Sequence, residues 1–335
     1  NNITDYSFQR MTLQGGPKPI YEPFEPKCLL ARLYTGNDRL LLDSIMFRDS
    51  FAFGAYGILS YYQADSSVVS NCEFRNNIGG HAIRTANDTG IHYINNCVFS
   101  EQLPDFEDPD SPMGKAIGDG GSGSTVIQNC LFYDNPKYGV DRWFSGSTYL
   151  VNCTFVNNSE LPSSAFLYVG DADMHLYNCI SYNQGESPIA IYRVEPPKMI
   201  TSHLNLYNSL IEGGEESIKY GDQCEGETWC KVHYDETNID EDPVFLNMWE
   251  HPFMISDGSP CIDAGTLDLP DFIEIPEFDL AGNPRIVGGK IDMGAYEWNP
   301  TIVGRGENIY SHRPSKLTVY PNPSKGIVNI ITTAD

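Results

Sequence analysis

A four-residue motif that usually begins Asn-Cys recurs along this chain and constrains its fold more than any other feature. Successive copies lie 23 to 33 residues apart, as between positions 130 and 153 and between positions 97 and 130. This period is typical of solenoid repeats and is too irregular for a closed propeller. The seven copies are Asp43-Ser44-Ile45-Met46, Asn71-Cys72-Glu73-Phe74, Asn96-Cys97-Val98-Phe99, Asn129-Cys130-Leu131-Phe132, Asn152-Cys153-Thr154-Phe155, Asn178-Cys179-Ile180-Ser181 and Asn208-Ser209-Leu210-Ile211.

Two further columns of residues keep step with the motif. A small residue followed by an apolar one precedes each copy, as at Ala82-Ile83. An apolar residue also lies three positions before each Cys or Ser, as at Ile127 and Leu150, and its neighbours are less apolar. This alternation predicts half-buried β-strands in every repeat.

The Asn of each motif is predicted to form a corner. In the segment 150–155, strict alternation would place Leu150 and Cys153 on opposite faces of a strand. Asn tolerates the left-handed conformation, so a one-residue bend at Asn152 lets Leu150, Cys153 and Phe155 all point inward. Turns stacked ~4.8 Å apart would then join their Asn side chains in a ladder. The sequence thus predicts an all-β protein, a parallel β-helix of about seven turns with caps at both ends.

Composition limits the function classes. The 335 residues are 41% hydrophobic, and 21 Lys and Arg face 45 Asp and Glu, for a net charge of -24. That charge argues against binding to nucleic acid or to anionic lipid, and it suits solubility outside the cell. No apolar run approaches the ~18 residues of a transmembrane segment. The chain has no initiator Met or signal peptide at Asn1, so a mature or trimmed chain is expected.

The nine cysteines fall into three groups. The Cys of each motif copy is predicted to be a buried free thiol that packs in the core. Cys224 and Cys230 lie close together in a polar loop and are predicted to form a disulfide, which fits an oxidising compartment. A zinc site there is less favoured, because neither a Cys-x-x-Cys pair nor a His pair accompanies them. Cys28 and Cys261 have no predicted role.

The order of segments predicts five regions. These are an irregular N-terminal cap (1–39), the β-helix (40–213), a closing segment rich in Gly and Pro (214–298), a linker (299–316) and a final segment (317–335). The cap is expected to cover strand edges at the open end of the solenoid.

One turn carries an acidic insertion between residues 101 and 113. Asp105, Asp108 and Asp110 give it a carboxylate density that suits calcium, although the spacing differs from that of an EF-hand loop. A solvated acidic loop is the alternative. No other cofactor is expected.

The closing segment resembles that of bacterial secreted and surface right-handed β-helix proteins. The motifs that carry the resemblance are Asp242-Pro243-Val244-Phe245, Gly258-Ser259-Pro260-Cys261-Ile262-Asp263-Ala264-Gly265, Asp279-Leu280-Ala281-Gly282-Asn283-Pro284-Arg285 and Ile291-Asp292-Met293-Gly294-Ala295-Tyr296-Glu297. The resemblance implies a right-handed coil and a location outside the cell, but it implies no particular activity.

The final segment resembles the start of the C-terminal sorting domain of the Bacteroidota type IX secretion system. The residues that carry this resemblance are Val319, Tyr320, Pro321, Asn322, Pro323 and Gly326. The resemblance implies a small, incomplete β-sandwich domain here and export through the type IX translocon with its shuttle and attachment proteins. The protein would then be secreted or anchored at the outer face of the outer membrane. An ordinary Pro-bounded strand pair is the alternative.

Charged and aromatic residues are predicted to lie on the outer face of the coil. Adjacent turns stack, so side chains distant in sequence can line one groove. The candidates for glycan binding are His81, Trp143, Tyr168, Tyr192 and Arg193, and the candidates for catalysis are Arg84, Lys115, Asp119, Asp141 and Arg142.

Two functions remain open. A glycan-binding or partner-binding module needs outer aromatic rings, and Trp143 beside charges suits stacking on a sugar. A polysaccharide lyase needs a base and cations, for which Arg84, Lys115, Arg142 and calcium are the candidates, whereas a hydrolase needs two carboxylates, here Asp119 and Asp141. No signature of the pectate lyase or polygalacturonase families is found, and outer charges are often only solvated, so the binding module is favoured and catalysis stays undecided.

Overall fold

The computed structural model describes residues 5–14, 31–34, 39–62, 66–86, 89–104, 114–136, 139–143, 145–158, 166–185, 188–192, 201–224, 229–246, 251–300, 317–319 and 330–332. Nearly all of the regular structure is β-strand, and two short 3-10 turns, Glu215–Ser217 and Asp222–Cys224, are the helical segments of the described residues. In chain order the strands are β1 (Asp5–Gln14), β2 (Ala31–Tyr34), β3 (Arg39–Arg48), β4 (Phe51–Tyr62), β5 (Ser66–Ser70), β6 (Glu73–Arg75), β7 (Ile78–Ala86), β8 (Ile91–Asn95), β9 (Val98–Ser100), β10 (Lys115–Gly120), β11 (Ser124–Gln128), β12 (Leu131–Tyr133), β13 (Val140–Trp143), β14 (Ser147–Val151), β15 (Thr154–Val156), β16 (Leu167–Gly170), β17 (Asp173–Tyr177), β18 (Ile180–Tyr182), β19 (Ile189–Tyr192), β20 (Ser202–Tyr207), β21 (Leu210–Ile211), β22 (Ile218–Tyr220), β23 (Cys230–Tyr234), β24 (Phe245–Leu246), β25 (Met254–Ile255), β26 (Leu317–Val319) and β27 (Ile330–Thr332).

The strands form the predicted parallel β-helix. Sheet 1 has fifteen strands in two arms: arm A holds β5, β8, β11, β14, β17, β20 and β23, and arm B holds β6, β9, β12, β15, β18 and β21. The other two strands are β3, which belongs to both arms because its first half pairs with β5 and its second half with β6, and β1, which pairs with β3. Sheet 2 has eight strands in the order β2, β4, β7, β10, β13, β16, β19 and β22. Each turn of the coil therefore contributes one strand to arm A, one to arm B and one to sheet 2.

The corner between the two arms lies at the Asn of each motif, as predicted. Asn71, Asn96, Asn129, Asn152 and Asn178 all have φ between 50° and 54°. This is the left-handed region, which Asn adopts at lower cost than most residues. The local conformational tolerance of one residue type thus sets the cross-section of the coil.

The side chains of these corner residues form a ladder that is interrupted once. The Asn129 side-chain amide donates to Asn96 Oδ1 at 3.1 Å, and that of Asn178 donates to Asn152 Oδ1 at 3.3 Å. The Asn152 amide instead donates to the carbonyl of Asp292 at 2.9 Å. The closing segment therefore competes with the ladder for hydrogen bonds at this corner.

The first repeat begins one residue later than the sequence analysis placed it. Asp43 pairs with Ser70, and Phe47 pairs with Phe74, so Ser44 takes the corner position with φ 56°. The register follows the aromatic side chain: the Phe47 ring stacks on that of Phe74 with centroids 4.6 Å apart. The packing of Phe47 therefore determines the register of this repeat, although Asp43 resembles the Asn that begins the other copies.

A second left-handed corner ends the short arm B strands, and the sequence analysis missed it. Asn157 has φ 54° and Asn183 has φ 52°. The residue after each such corner turns its amide into the core: Asn158 accepts the backbone N–H of Asn135 at 3.0 Å and donates to the carbonyl of Phe132 at 3.0 Å. These buried amides satisfy backbone groups that a tight bend leaves unpaired. The sequence signal is the polar pair that follows each motif, such as Asn157-Asn158.

The core of the coil consists of columns of one residue type. The cysteines of the motif copies are buried free thiols, as expected: Cys72, Cys97, Cys130, Cys153 and Cys179. Beneath them runs a stack of phenylalanine rings in which Phe74, Phe99 and Phe132 follow one another with centroids 5.0 and 4.7 Å apart. Cys261 is also a buried free thiol, but it lies outside this column.

Both ends of the coil are more regular than predicted. Strands β1 and β2 lie within the segment 1–39, and they pair in parallel with β3 and β4. The prediction of irregular structure is therefore wrong for the residues of these two strands. At the other end, β22 and β23 continue the two sheets beyond Gly213. Cys224 and Cys230 form a disulfide beside this last turn, with Cα atoms 5.3 Å apart.

The closing segment packs along the outer face of arm B. Met293 contacts the cluster around Ile180, and Ala295 contacts the cluster around Leu131. At Gly294 an added Cβ would lie 2.6 Å from Ile180 Cδ1, so the backbone lies against the sheet. The outward residues of arm B can thus be apolar.

A buried ion pair holds the end of the closing segment together. Arg285 Nη1 lies 3.2 Å from Glu297 Oε1, and the same guanidinium donates to the carbonyl of Gly294. Burial raises the pKa of Glu297 to about 8, although Arg285 opposes the shift. The segment therefore has a polar centre of its own.

Within the described part of the chain, no helix is long and apolar enough to cross a membrane. Strands β26 and β27 form an antiparallel pair in the final segment, and Val319 is part of β26. The rest of the predicted sorting motif, from Tyr320 to Gly326, lies outside the described residues.

Candidate functional site

Register on sheet 2 decides which candidate residues face outward. Ile83, Ile117, Val140 and Leu167 pair across neighbouring strands and are fully buried, so this position points into the coil. Side chains alternate along a strand. The next position therefore points outward, and the one after it points inward again. The outward positions are Arg84, Asp141 and Tyr168 in one column and Trp143 and Tyr192 in the next.

Asp119 and Arg142 occupy the inward position, so the prediction that they line an outer groove is wrong. Both are at most 2% exposed. They form an ion pair with Arg142 Nη1 2.5 Å from Asp119 Oδ1. Asp119 also accepts hydrogen bonds from Thr85 at 2.6 Å and Thr148 at 2.9 Å. The sequence did carry a signal for this face, because Ile117 and Val140 of the small-then-apolar column lie two residues before Asp119 and Arg142 and point inward. The prediction failed because charged side chains were not expected inside the coil.

Arg142 further binds two stacked turns that lead from sheet 2 to arm A, one between β10 and β11 and one between β13 and β14. Its guanidinium donates to the carbonyls of Gly121 at 2.6 Å, Gly123 at 2.8 Å and Ser145 at 2.6 Å. An added Cβ at Gly146, which has φ 73°, would lie 1.8 Å from Arg142 Nη2. The side chain therefore fills the space between these two turns and pairs carbonyls of both.

His92 is another buried member of this internal polar region. Its Nδ1 lies 2.9 Å from Ser67 Oγ. Burial lowers the pKa of His92 to about 4, and Asp119 opposes the shift while Arg142 adds to it. The imidazole is therefore neutral at neutral pH and serves the interior of the coil.

A charged cluster lies on the outer face of sheet 2. Lys115 forms an ion pair with Asp141, and Trp143 Nε1 donates to Asp141 Oδ2 at 2.6 Å. The ring of His81 lies over Gly118, where an added Cβ would be 2.2 Å from His81 Cδ2. Burial by itself would raise the pKa of Asp141, but Lys115, His81 and the hydrogen bonds from Lys115 and Trp143 lower it below its usual value. Asp141 is therefore a carboxylate at neutral pH.

Three aromatic rings continue from this cluster along the outer face. Tyr168 stacks on Trp143 with centroids 4.5 Å apart and on Tyr192 with centroids 4.7 Å apart. In the register, Gly170 lies between Trp143 and Tyr192 and has no side chain. The ring of Tyr168, which belongs to the adjacent column, therefore fills the space between the Trp143 and Tyr192 rings. The stack of Trp143, Tyr168 and Tyr192 is called the aromatic strip below.

The faces of these rings are already in contact with other groups. Lys115 Nζ lies 5.7 Å from the centroid of the Trp143 ring. At the far end, an added Cβ at Gly221 would lie 2.1 Å from Tyr192 Cδ1. Trp143 thus stacks within the protein, and the stacking on a sugar face expected from sequence is not available to it. What the strip offers to solvent is a row of half-buried ring edges.

The remaining predicted site residues do not add to this surface. Arg84 is half-buried in the same column as Asp141. Arg193, Asp105, Asp108 and Asp110 lie outside the described residues. Among the residues that are described, no group of three or more His, Cys, Asp or Glu side chains is arranged to hold a metal ion.

One concave feature was missed by the sequence analysis. A cleft of about 260 Å³ lies between the ends of β15 and β18 and the hairpin of β24 and β25, lined in part by Tyr182, Phe245 and Phe253. The sequence signal was weak: two aromatic residues in the Gly- and Pro-rich closing segment.

A match to one family model agrees with the geometry of the coil. Residues 110–240 match the family model described as right handed beta helix region. The coil is right-handed. A crystal structure of pectate lyase Pel9A is similar at 12% sequence identity and a TM-score of 0.39, over 89% of this chain and 86% of that chain. No curated protein sequence matches this one.

Proposed function

We propose that this protein is a non-catalytic module that binds a glycan along the outer face of sheet 2. The observation that carries the proposal is the aromatic strip, in which Trp143, Tyr168 and Tyr192 stand in contact and half-exposed on successive turns. His81, Lys115 and Asp141 adjoin the strip on the same face of sheet 2, where each is at most 8% exposed, so they support the rings from below the surface.

The chemistry of the strip suits a sugar chain. Tyrosine and tryptophan combine an apolar body with a polar tip, which matches the mixture of C–H and hydroxyl groups on a sugar. Because the ring faces pair with one another, the glycan would lie along the ring edges and take hydrogen bonds from the phenol groups. Strands repeat every ~4.8 Å along the coil, so Trp143, Tyr168 and Tyr192 present rings to a polymer on three successive turns.

A catalytic role is less well supported. Of the proposed catalytic set, Asp119 and Arg142 lie inside the coil, on the other side of sheet 2 from Asp141. The hydrolase pair of Asp119 and Asp141 therefore cannot flank one glycosidic bond. Lys115 and Asp141 pair with each other, which leaves neither as a ready base or cation. An enzyme that acts on acidic polysaccharide remains the alternative, and the next experiment tests it too.

Replacing Tyr192 with alanine is expected to weaken retention on an immobilised polysaccharide about tenfold, because the strip loses its terminal ring. Affinity electrophoresis against a panel of acidic and neutral polysaccharides would measure this. The matched control is Tyr207→Ala, which removes one ring of the Tyr177 and Tyr207 stack on arm A, with centroids 5.0 Å apart. Equal retention of both variants would contradict the proposal. Release of unsaturated or reducing sugars by the unaltered protein would support the enzymatic alternative.

We also propose export through the type IX secretion system, on the basis of the sorting motif from Val319 to Gly326. In a host that has this system, the full-length protein is expected at the cell surface or in the medium, and it is expected to stay inside cells from which the translocon has been deleted. Fractionation followed by immunoblotting would measure the distribution. The same distribution in both strains would rule out this route.

A further inference from the structure

The cleft at the end of arm B is built differently from the aromatic strip. One side is formed by β15 and β18 through Val156 and Tyr182, and the other by the hairpin through Phe245 and Phe253. Its rings do not stack flat. Phe245 stands at 78° to Tyr182 with centroids 6.2 Å apart and at 76° to Phe253 with centroids 5.6 Å apart. Three rings set nearly at right angles to their neighbours form the walls of a small box.

Carboxylates stand at the mouth of this box. Glu212 accepts the backbone N–H of Asn183, a lining residue, at 2.6 Å. Asp242 accepts the backbone N–H of Val244 at 2.8 Å, next to Phe245. Burial, and then Asp242 and Glu212, raise the pKa of Tyr182, which places both charges near its phenol. Among the described residues that line the cleft there is no Lys, Arg or His.

The hairpin holds its rings at a conformational cost. Val244 has φ 51° and Phe253 has φ 64°, and a left-handed backbone is unusual for side chains of this size. Such strain is unfavourable and tends to cluster at ligand clamps. Hydrogen bonds from Val244 to Asp242 and from Ser256 to the carbonyl of Val244 stabilise this geometry. The two residues border the aromatic wall, so the strained backbone is what places Phe245 and Phe253.

We propose that this cleft binds a small organic ammonium cation. Aromatic faces carry negative partial charge, so a cation within ~6 Å of a ring centroid is attracted to the ring. Glu212 and Asp242 add attraction of the same sign at the mouth. The volume of about 260 Å³ suits a compact head group such as trimethylammonium. An anionic ligand would be repelled by these carboxylates, and a neutral ligand would gain nothing from their charge.

The proposal is tested with choline and its neutral isostere 3,3-dimethyl-1-butanol, which have the same shape but differ in charge. Choline is expected to bind with a roughly millimolar Kd, measured by calorimetry and by shifts of aromatic proton resonances, and the isostere to bind at least about tenfold more weakly. In the double variant Glu212→Gln and Asp242→Asn, choline binding is expected to weaken about tenfold, because each amide keeps an acceptor oxygen but loses the charge.

Two outcomes would overturn the proposal. Equal binding of choline and the isostere would make the cleft a purely apolar pocket, and no binding of either would leave it without a ligand of this class. Tyr192→Ala is expected to leave choline binding unchanged, because the aromatic strip lies on sheet 2. A failure of the glycan proposal is therefore distinguishable from a failure of this one.

Discussion

Replacing Arg142 with methionine is expected to lower the free energy of unfolding by about 3–5 kcal/mol, because removal of one partner leaves the other charge buried. Asp119 would keep its hydrogen bonds from Thr85 and Thr148 but would lose its counter-charge inside the coil. The carbonyl of Gly121 would also lose its hydrogen bond from the guanidinium. Urea denaturation followed by circular dichroism would measure the change.

The matched control for this prediction is Arg84→Met on the outer face of the same sheet, which is expected to cost less than about 1 kcal/mol. A double variant, Asp119→Asn with Arg142→Met, removes both charges and is expected to recover part of the loss, because no unpaired charge remains in the core. Equal stability of the Arg142 and Arg84 variants would show that Arg142 is not buried as described.

Replacing Phe132 with alanine is expected to destabilise the protein by about 3–5 kcal/mol, the range for removal of a fully buried aromatic ring. The ring lies in the middle of the phenylalanine column, with centroids 4.7 Å from Phe99 and 5.0 Å from Phe155, and it meets Phe166 edge-on at 6.0 Å. The cavity would open inside a continuous stack, where neighbours on adjacent turns are fixed by sheet hydrogen bonds and cannot move in to fill it.

The control here is Phe278→Ala in the closing segment, where the side chain is 46% exposed. Its expected cost is below about 1 kcal/mol, and the midpoint of urea denaturation would compare the two variants directly. A Phe132 variant as stable as the Phe278 variant would contradict the packing described for the core.

The positions of the corners and of the core residues in each repeat could be predicted from sequence wherever one residue type meets a local backbone or packing requirement. Asn at a left-handed corner is such a case, and so is a Cys or Phe that must point inward just after it. The first repeat shows the limit of this reasoning. Asp43 looks like the motif, but the inward packing of Phe47 moved the corner to Ser44.

The candidate site could be predicted only in part. The residues of the aromatic strip were all identified, because bulky aromatic residues in a polar repeat are conspicuous. Their mutual stacking was not foreseen, since it depends on the gap that Gly170 leaves in the register between two strands. The cleft at Phe245 was missed altogether, because its walls come from segments far apart in sequence.

The sequence by itself determined the parallel β-helix, its Asn corners and its Cys and Phe columns, because period and local conformational preference are both properties of short stretches of chain. Only the tertiary structure decided that Asp119 and Arg142 point inward while Asp141 and Trp143 point outward. Successive residues of a strand lie on opposite faces of the sheet. Which set faces the interior depends on packing against the turns above and below, and a short stretch of sequence does not contain those turns.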